Sequence, residues 1–154
     1  MSGQAPSSIR DGRHWHTVRV YFQDTDAGGI VYHANYLAFA ERARSEALRD
    51  LGVPHAELVG QFGLIFVVRR AKLDYLRPAR LDDELMVASE GLAIAGASVT
   101  LRQTFFRAGE PEPIAVVELR LACMRMGDQR PARLPERWRK AFARLAATRH
   151  PPGN

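Results

Sequence analysis

Residues 20–51 read VYFQDTDAGGIVYHANYLAFAERARSEALRDL and pass from an apolar strand, through a loop with two aspartates and two glycines, into one long helix. The adjacent glycines Gly28 and Gly29 permit backbone angles barred to other residues and let a ligand approach the main chain closely. From about Asn35 to Leu51 the spacing places Tyr36, Ala40, Ala43, Ala47 and Leu51 on one stripe, with Phe39 and Leu48 beside it. The opposite face carries Glu41, Arg42, Arg44, Glu46 and Arg49. A stripe so rich in alanine lets the helix axis lie close to whatever it packs on. Gly52 supplies the stop and Pro54 prevents continuation.

The loop aims an acid at the mouth of this helix, just past Tyr32 and His33. A helix N-terminus carries unpaired N–H groups and a partial positive charge, so it can hold a carbonyl oxygen that is becoming negative. A carboxylate beside it can attack the carbonyl carbon or make water attack. The pattern therefore predicts an acyl-transfer site.

Working outward, residues 1–13 are polar and are read as a loose tail. His14 to Phe22 alternate as a first strand. A short loop with His55 and Gly60 follows the long helix, and then come four strand-like runs: Gly63 to Tyr75, Glu84 to Ile94, Ser98 to Arg107 and Ile114 to Met126. In the third, Val99, Leu101 and Phe105 face one way and Ser98, Thr100, Arg102 and Thr104 the other. Successive strands with short turns and half-polar alternation predict an antiparallel sheet with one face covered by the long helix. Pro135 opens a last helix, whose Trp138, Ala141, Phe142 and Leu145 follow the spacing of a docked face. The ending HPPGN is read as frayed.

Composition narrows the class. Apolar residues make up 46% of the 154 and the formal net charge is +5, which favours anionic partners. The arginines are spread along the chain, which argues against a dedicated nucleic-acid groove. The single cysteine, Cys123, excludes an intrachain disulfide and a cysteine-rich metal site, and it lies in an apolar run as a core residue. No apolar leader precedes His14, and no run approaches the roughly 18 apolar residues of a membrane span, so a soluble, cytoplasmic protein is expected. His14, His16 and His55 share no metal-ligand spacing, and no metal is expected. An aspartate-nucleophile phosphatase would need repeated strand–helix units after its Asp-x-Asp. A calcium loop counted from Asp24 would need Glu where Asn35 stands.

The segment DTDAGGIVYHANYLAFAERARSE, with LDYLRPARLDDEL at Leu73–Leu85, resembles the 4-hydroxybenzoyl-CoA thioesterase family, most closely its Tol-Pal-associated acyl-CoA thioesterases. The resemblance covers about His14 to Met126 and extends to the RPARLP stretch at Arg130 to Pro135. It implies an α+β hotdog fold, a long central helix wrapped by a five-stranded antiparallel sheet, here with an extra C-terminal helix. The expected layout is a tail at 1–13, the hotdog domain at 14–134 and the C-terminal helix and frayed end at 135–154. It implies hydrolysis of an acyl-coenzyme A to free acid and coenzyme A, the coenzyme being part of the substrate and no cofactor being needed. The catalytic carboxylate falls on Asp26, as nucleophile or as general base. The backbone donor to the thioester carbonyl falls on His33, whose side chain is also assigned a part in that branch. The family implies a homodimer or homotetramer with the site at the subunit interface, and an acyl carrier protein is a further partner to consider.

Other residues take plainer roles. Tyr32 and Tyr36 are expected to line the substrate pocket or the core, and Asp24 to be a structural hydrogen-bond partner. The resemblance also implies coenzyme A phosphates held by surface basic residues; Arg69, Arg70 and Lys72 sit on a strand that could reach them, but are read as a solvated strand edge. A hotdog module that binds acyl-CoA or an acyl carrier protein without hydrolysis is the alternative from a different class.

Overall fold

The computed structural model describes residues 8–145. In chain order the elements are β1 (Ile9–Arg10), β2 (Arg13–Arg19), α1 (Asn35–Asp50), α2 (His55–Phe62), β3 (Leu64–Tyr75), β4 (Glu84–Ile94), β5 (Ser98–Arg107), β6 (Pro113–Arg125) and α3 (Glu136–Arg144). One sheet holds all six strands in the order β1-β2-β4-β5-β6-β3, every neighbouring pair antiparallel. The sheet wraps α1, as the hotdog arrangement requires. Phe39, Ala40, Ala43 and Leu48 of α1 are buried with Leu85, Val87, Val99, Leu101, Phe105, Val117 and Leu119 of the strands.

Gln103 is a polar residue in the middle of the covered face of β5. It is fully buried, and its side-chain amide donates to the Ala40 carbonyl (2.8 Å) and to Ser89 Oγ (3.0 Å). The amide nitrogen is satisfied in place, while Oε1 has no partner among the described residues, and the bond to Ala40 ties the height of α1 to the sheet.

Five long strands form the wrap, and three details differ from the sequence reading. The stretch expected to be loose contains β1, which folds back on β2 with Ile9 opposite His14 and Arg10 opposite Arg13. Asp11 (φ 55°) and Gly12 (φ 75°) make the two-residue turn, the Asp-Gly pattern that suits a tight hairpin. The strand expected to run to Phe22 ends at Arg19, because the Asp24 carboxylate accepts the Tyr21 N–H (2.9 Å) and closes a 3-10 turn at Phe22–Asp24. The loop expected at His55 and Gly60 is the short helix α2, which buries Leu58 and sets Phe62 edge-on to Trp138 at 5.5 Å.

The final helix docks as expected, with Trp138, Ala141, Phe142 and Leu145 buried. Its end lies against the main chain of β4. The Gly91 N–H donates to the Leu145 carbonyl at 2.7 Å, and a Cβ on Gly91 would stand 3.2 Å from the Phe142 carbonyl oxygen. The expectations for residues 1–7 and for the HPPGN ending lie outside the described residues. No helix among those described is long and apolar enough to cross a membrane.

Two strands carry bulges. In β3 the register passes from Val68 opposite Leu121 to Arg70 opposite Arg120, which leaves Arg69 as the extra residue. In β4 it passes from Gly91 to Ala93. An extra residue reverses which side chains face the helix beyond it. Phe66 before the β3 bulge and Leu73 after it both pack on the core.

Candidate active site

The loop between β2 and α1 is held by main-chain bonds to the segment that links β3 to β4. Val31 N–H donates to the Ala79 carbonyl (2.8 Å) and Leu81 N–H to the Gly29 carbonyl (3.2 Å). That segment is in turn fastened to β5. Arg107 donates to Asp83 Oδ2 (3.1 Å), to Glu110 Oε1 (3.0 Å) and to the Pro78 carbonyl (2.7 Å). Asp83 Oδ2 also accepts the Arg80 N–H (2.8 Å), and together Asp83 and Glu110 hold the Arg107 guanidinium above its ordinary pKa. The aspartate loop therefore rests on a charge-assisted network rather than on a mobile turn.

Within the loop the two aspartates part company. Asp24 is committed to structure: its carboxylate takes the Tyr21 N–H, and its carbonyl takes the Tyr32 N–H (3.0 Å) and the Asn35 side-chain amide (2.8 Å). Asp26 is exposed, and its Oδ1 accepts the Gly28 N–H at 2.8 Å. A Cβ on Gly28 would stand 3.3 Å from that oxygen, so the bare glycine lets the carboxylate fold over its own turn. The second oxygen of Asp26 has no hydrogen-bond partner among the described residues.

The helix begins without a side-chain cap. Its cap residue is Ala34, which has no side-chain oxygen to offer, and the backbone N–H groups of His33 and Ala34 have no acceptor among the described residues. The first bonds of the turn run from Tyr36 N–H to the His33 carbonyl and from Leu37 N–H to the Ala34 carbonyl, both at 3.3 Å. The mouth of α1 thus keeps donors and a partial positive charge facing outward.

Asp26, His33 and Tyr36 line one cavity of about 300 Å³, together with Ile30, Tyr75 and Arg77. Tyr36 is buried and meets Tyr75 and Phe105 edge-on, at 5.7 and 5.3 Å. Burial pushes the Tyr36 hydroxyl above its ordinary pKa, against a backbone hydrogen bond at Ala79, so it stays protonated as a donor. Tyr32, expected beside Tyr36, is not part of the lining; it is exposed and stacks on the His33 ring at 4.4 Å. Tyr75 donates to the His33 carbonyl at 3.3 Å, and Arg77 donates to the Glu112 carbonyl at 2.6 Å. Neither Tyr75 nor Arg77 was singled out from sequence, although both stand in the Leu73–Leu85 segment that carries the family resemblance. No group of three or more His, Cys, Asp or Glu side chains among the described residues is arranged to hold a metal ion.

This sheet-wrapped helix defines the class, a hotdog protein. Residues 20–142 match the thioesterase-like superfamily, and the chain belongs to that family. It is 41% identical over 128 residues to the acyl-CoA thioesterase YbgC of Haemophilus influenzae, covering 83% of this chain and 93% of that protein. It is 28% identical over 147 residues to the 1,4-dihydroxy-2-naphthoyl-CoA hydrolase of Thermosynechococcus vestitus, covering 94% and 97%. Among solved structures it is similar to a probable thioesterase from Bartonella henselae, with TM-score 0.75, 34% identity and coverage of 80% and 99%.

Proposed function

We propose that this chain hydrolyses acyl-coenzyme A thioesters to the free acid and coenzyme A, with Asp26 as the catalytic carboxylate and the N–H groups at His33 and Ala34 as the oxyanion donors. One observation carries the reading: Asp26, with one carboxylate oxygen unpartnered, and His33, whose N–H and that of the adjoining Ala34 have no acceptor among the described residues, line one largely apolar cavity. The thioester carbonyl takes its place between them. As the carbon becomes tetrahedral its oxygen gains charge, and fixed donors there are worth about 10²- to 10³-fold in rate.

Asp26 acts in one of two ways. As general base it takes a proton from water while the water oxygen bonds to the carbonyl carbon; the C–S bond then breaks and the coenzyme leaves as a thiolate. As nucleophile its oxygen bonds to that carbon, expels the thiolate and leaves a mixed anhydride, which water then opens. The thiolate is a good leaving group, so neither route needs a strong general acid. Tyr36, kept protonated, offers a hydroxyl to the acyl end of the cavity.

The same reading takes the active form to be a homo-oligomer. Tyr32 (47% exposed), Leu37 (40%) and Leu76 (54%) present apolar surface around the cavity. Strand β3 leaves one edge of the sheet unpaired. A second copy would cover the open side of the cavity. Because acyl-coenzyme A is made inside the cell, the substrate fits a cytoplasmic location.

The test is thiol release from a panel of short, long and aromatic acyl-coenzyme A substrates by the wild type and Asp26→Asn in parallel. Turnover of at least one thioester, lost in a folded Asp26→Asn protein, is the expected result. No turnover with any thioester, together with saturable acyl-coenzyme A binding, would favour a non-hydrolytic acyl-binding module; equal turnover in both would remove Asp26 from the chemistry.

A further inference from the structure

A second cleft, of about 390 Å³, lies on the face of the sheet turned away from α1, between β3, β6 and β5 and the end of β4. Arg70 and Lys72 line it from β3 and Arg120 from β6. Arg70 stands directly opposite Arg120 in the ladder, and Lys72 opposite Glu118. Glu118, the only carboxylate in the lining, is already engaged with Arg102 at 3.3 Å. Arg70, Lys72 and Arg120 have no ion-pair partner among the described residues. The cleft therefore carries three uncompensated positive charges.

Like charges placed directly opposite one another in a ladder cost stability. Here the pairing follows from the bulge at Arg69. Plain alternation from Phe66 would turn Arg70 and Lys72 toward the helix, and the extra residue turns them to the outer face instead. Two further features suit a bound anion. The hydroxyls of Ser98 and Thr100 line the same cleft with no hydrogen-bond partner among the described residues, and Ser98 is only 9% exposed. Ala93, opposite Thr100 at the end of β4, and Ala95 add a small apolar surface beside them, while Ile94 between them packs on the core. Phosphate oxygens would satisfy the cations and hydroxyls, and a flat heterocycle would cover the apolar part.

We propose that this outer cleft is a nucleotide-binding site, with Arg70, Arg120 and Lys72 on the phosphates and the Ser98 and Thr100 hydroxyls as additional donors. It is separate from the Asp26 cavity: Lys72 faces outward, while Tyr75, three residues or about 10 Å further along β3, lines the cavity on the helix side. The proposal does not depend on thioester hydrolysis. The nucleotide is either the adenosine phosphate end of a coenzyme A thioester or a free nucleotide, and both present the same chemistry to the cleft.

The experiment is calorimetric titration of the full chain with adenosine 3′,5′-bisphosphate, ADP and pyrophosphate, at low and at near-physiological salt. Arg70→Gln, Arg120→Gln and Thr100→Val are titrated beside it, with Lys140→Gln on α3 as a control. Saturable nucleotide binding that weakens with salt is expected, about tenfold poorer in each arginine variant and unchanged in Lys140→Gln. The unliganded arginine variants should melt no lower than the wild type, since each removes one half of a repulsive pair, and should lose the rise in Tm that the nucleotide gives the wild type. No saturable binding up to millimolar nucleotide, or equal binding in wild type and arginine variants, overturns the proposal. So does pyrophosphate binding as tightly as the nucleotides, which would make the cleft a bare-anion site. ADP added to a thioester assay then separates the sources: a raised KM identifies the substrate's own nucleotide, and an unchanged KM identifies a separate ligand.

Discussion

At the C-terminal end of α1 the backbone donors that follow the last turn are all paired. Leu51 N–H donates to the Ala47 carbonyl, Gly52 N–H to Arg49 and Val53 N–H to Leu48, the last being the long reverse bond of a helix stop. Arg137 of α3 donates to the Gly52 carbonyl at 2.8 Å. Asp50 accepts Ser8 Oγ at 2.9 Å and lies 2.8 Å from Nε2 of the buried His14. At the N-terminal end the same helix has an alanine for a cap, two free N–H groups and a carboxylate with a free oxygen. One end spends its polar groups on folding, and the other holds them in reserve for a ligand.

The comparison can be broken at either end. The largest effect is expected for Asp26→Asn, which should lower kcat by about 10²- to 10⁴-fold in a thiol-release assay. Its free energy of unfolding should stay within about 0.5 kcal/mol of wild type, since Asp26 holds little but its own turn. Next is Ala34→Asp, which puts a negative charge beside the developing oxyanion. It should cost about tenfold or more in kcat while raising stability by about 0.5 kcal/mol through the helix dipole, a split that denaturation and kinetics on one sample would show.

At the other end the signs reverse. Gly52 has φ 82°, so Gly52→Ala should cost about 1 kcal/mol in chemical denaturation and leave kcat/KM unchanged. Asp50→Asn should be smallest. Burial pushes the Asp50 carboxyl up, but hydrogen bonds from His14 and Ser8 outweigh it and hold the group below its ordinary 3.8. A lowered folded value means stability that is present above pH 3.8 and lost as pH falls through the folded pKa. The partly exposed pair is screened by water, so the variant should lose only about 0.5 kcal/mol at neutral pH. The gap between the two melting curves should close in acid.

The sequence pattern carried the main features wherever the signal was local. The alanine stripe of α1, the run of long strands and the docked face of α3 follow from periodicity, and each buries the side chains that periodicity assigned, Leu51 only in part. The Asp26, His33 and Tyr36 cavity lies within one continuous motif and was legible for the same reason. What escaped was non-local or a single residue long. Tyr75 and Arg77 enter the cavity only because the end of β3 passes over the mouth of α1. Tyr32 is adjacent in the motif, yet the turn before α1 points it out onto His33. The Arg69 bulge changes the facing of two cations without any change in composition, which is why Arg70 and Lys72 read as an ordinary strand edge. Gln103 was passed over because a polar residue on an apolar face breaks the alternation that identifies the face.

The contact between Gly91 and the end of α3 gives the last helix an isotopic reporter. The main chain of a sheet strand, rather than a side chain, takes up the Leu145 carbonyl, so one amide proton records whether the helix is seated. When α3 lifts away, the Gly91 N–H loses its acceptor and meets solvent, and its exchange with deuterium follows the free energy of that local opening alone. A chain ended before Trp138 should therefore show fast exchange at Gly91 while the amides of α1 stay slow. That contrast would measure how far the C-terminal helix is a separable addition to the wrapped core.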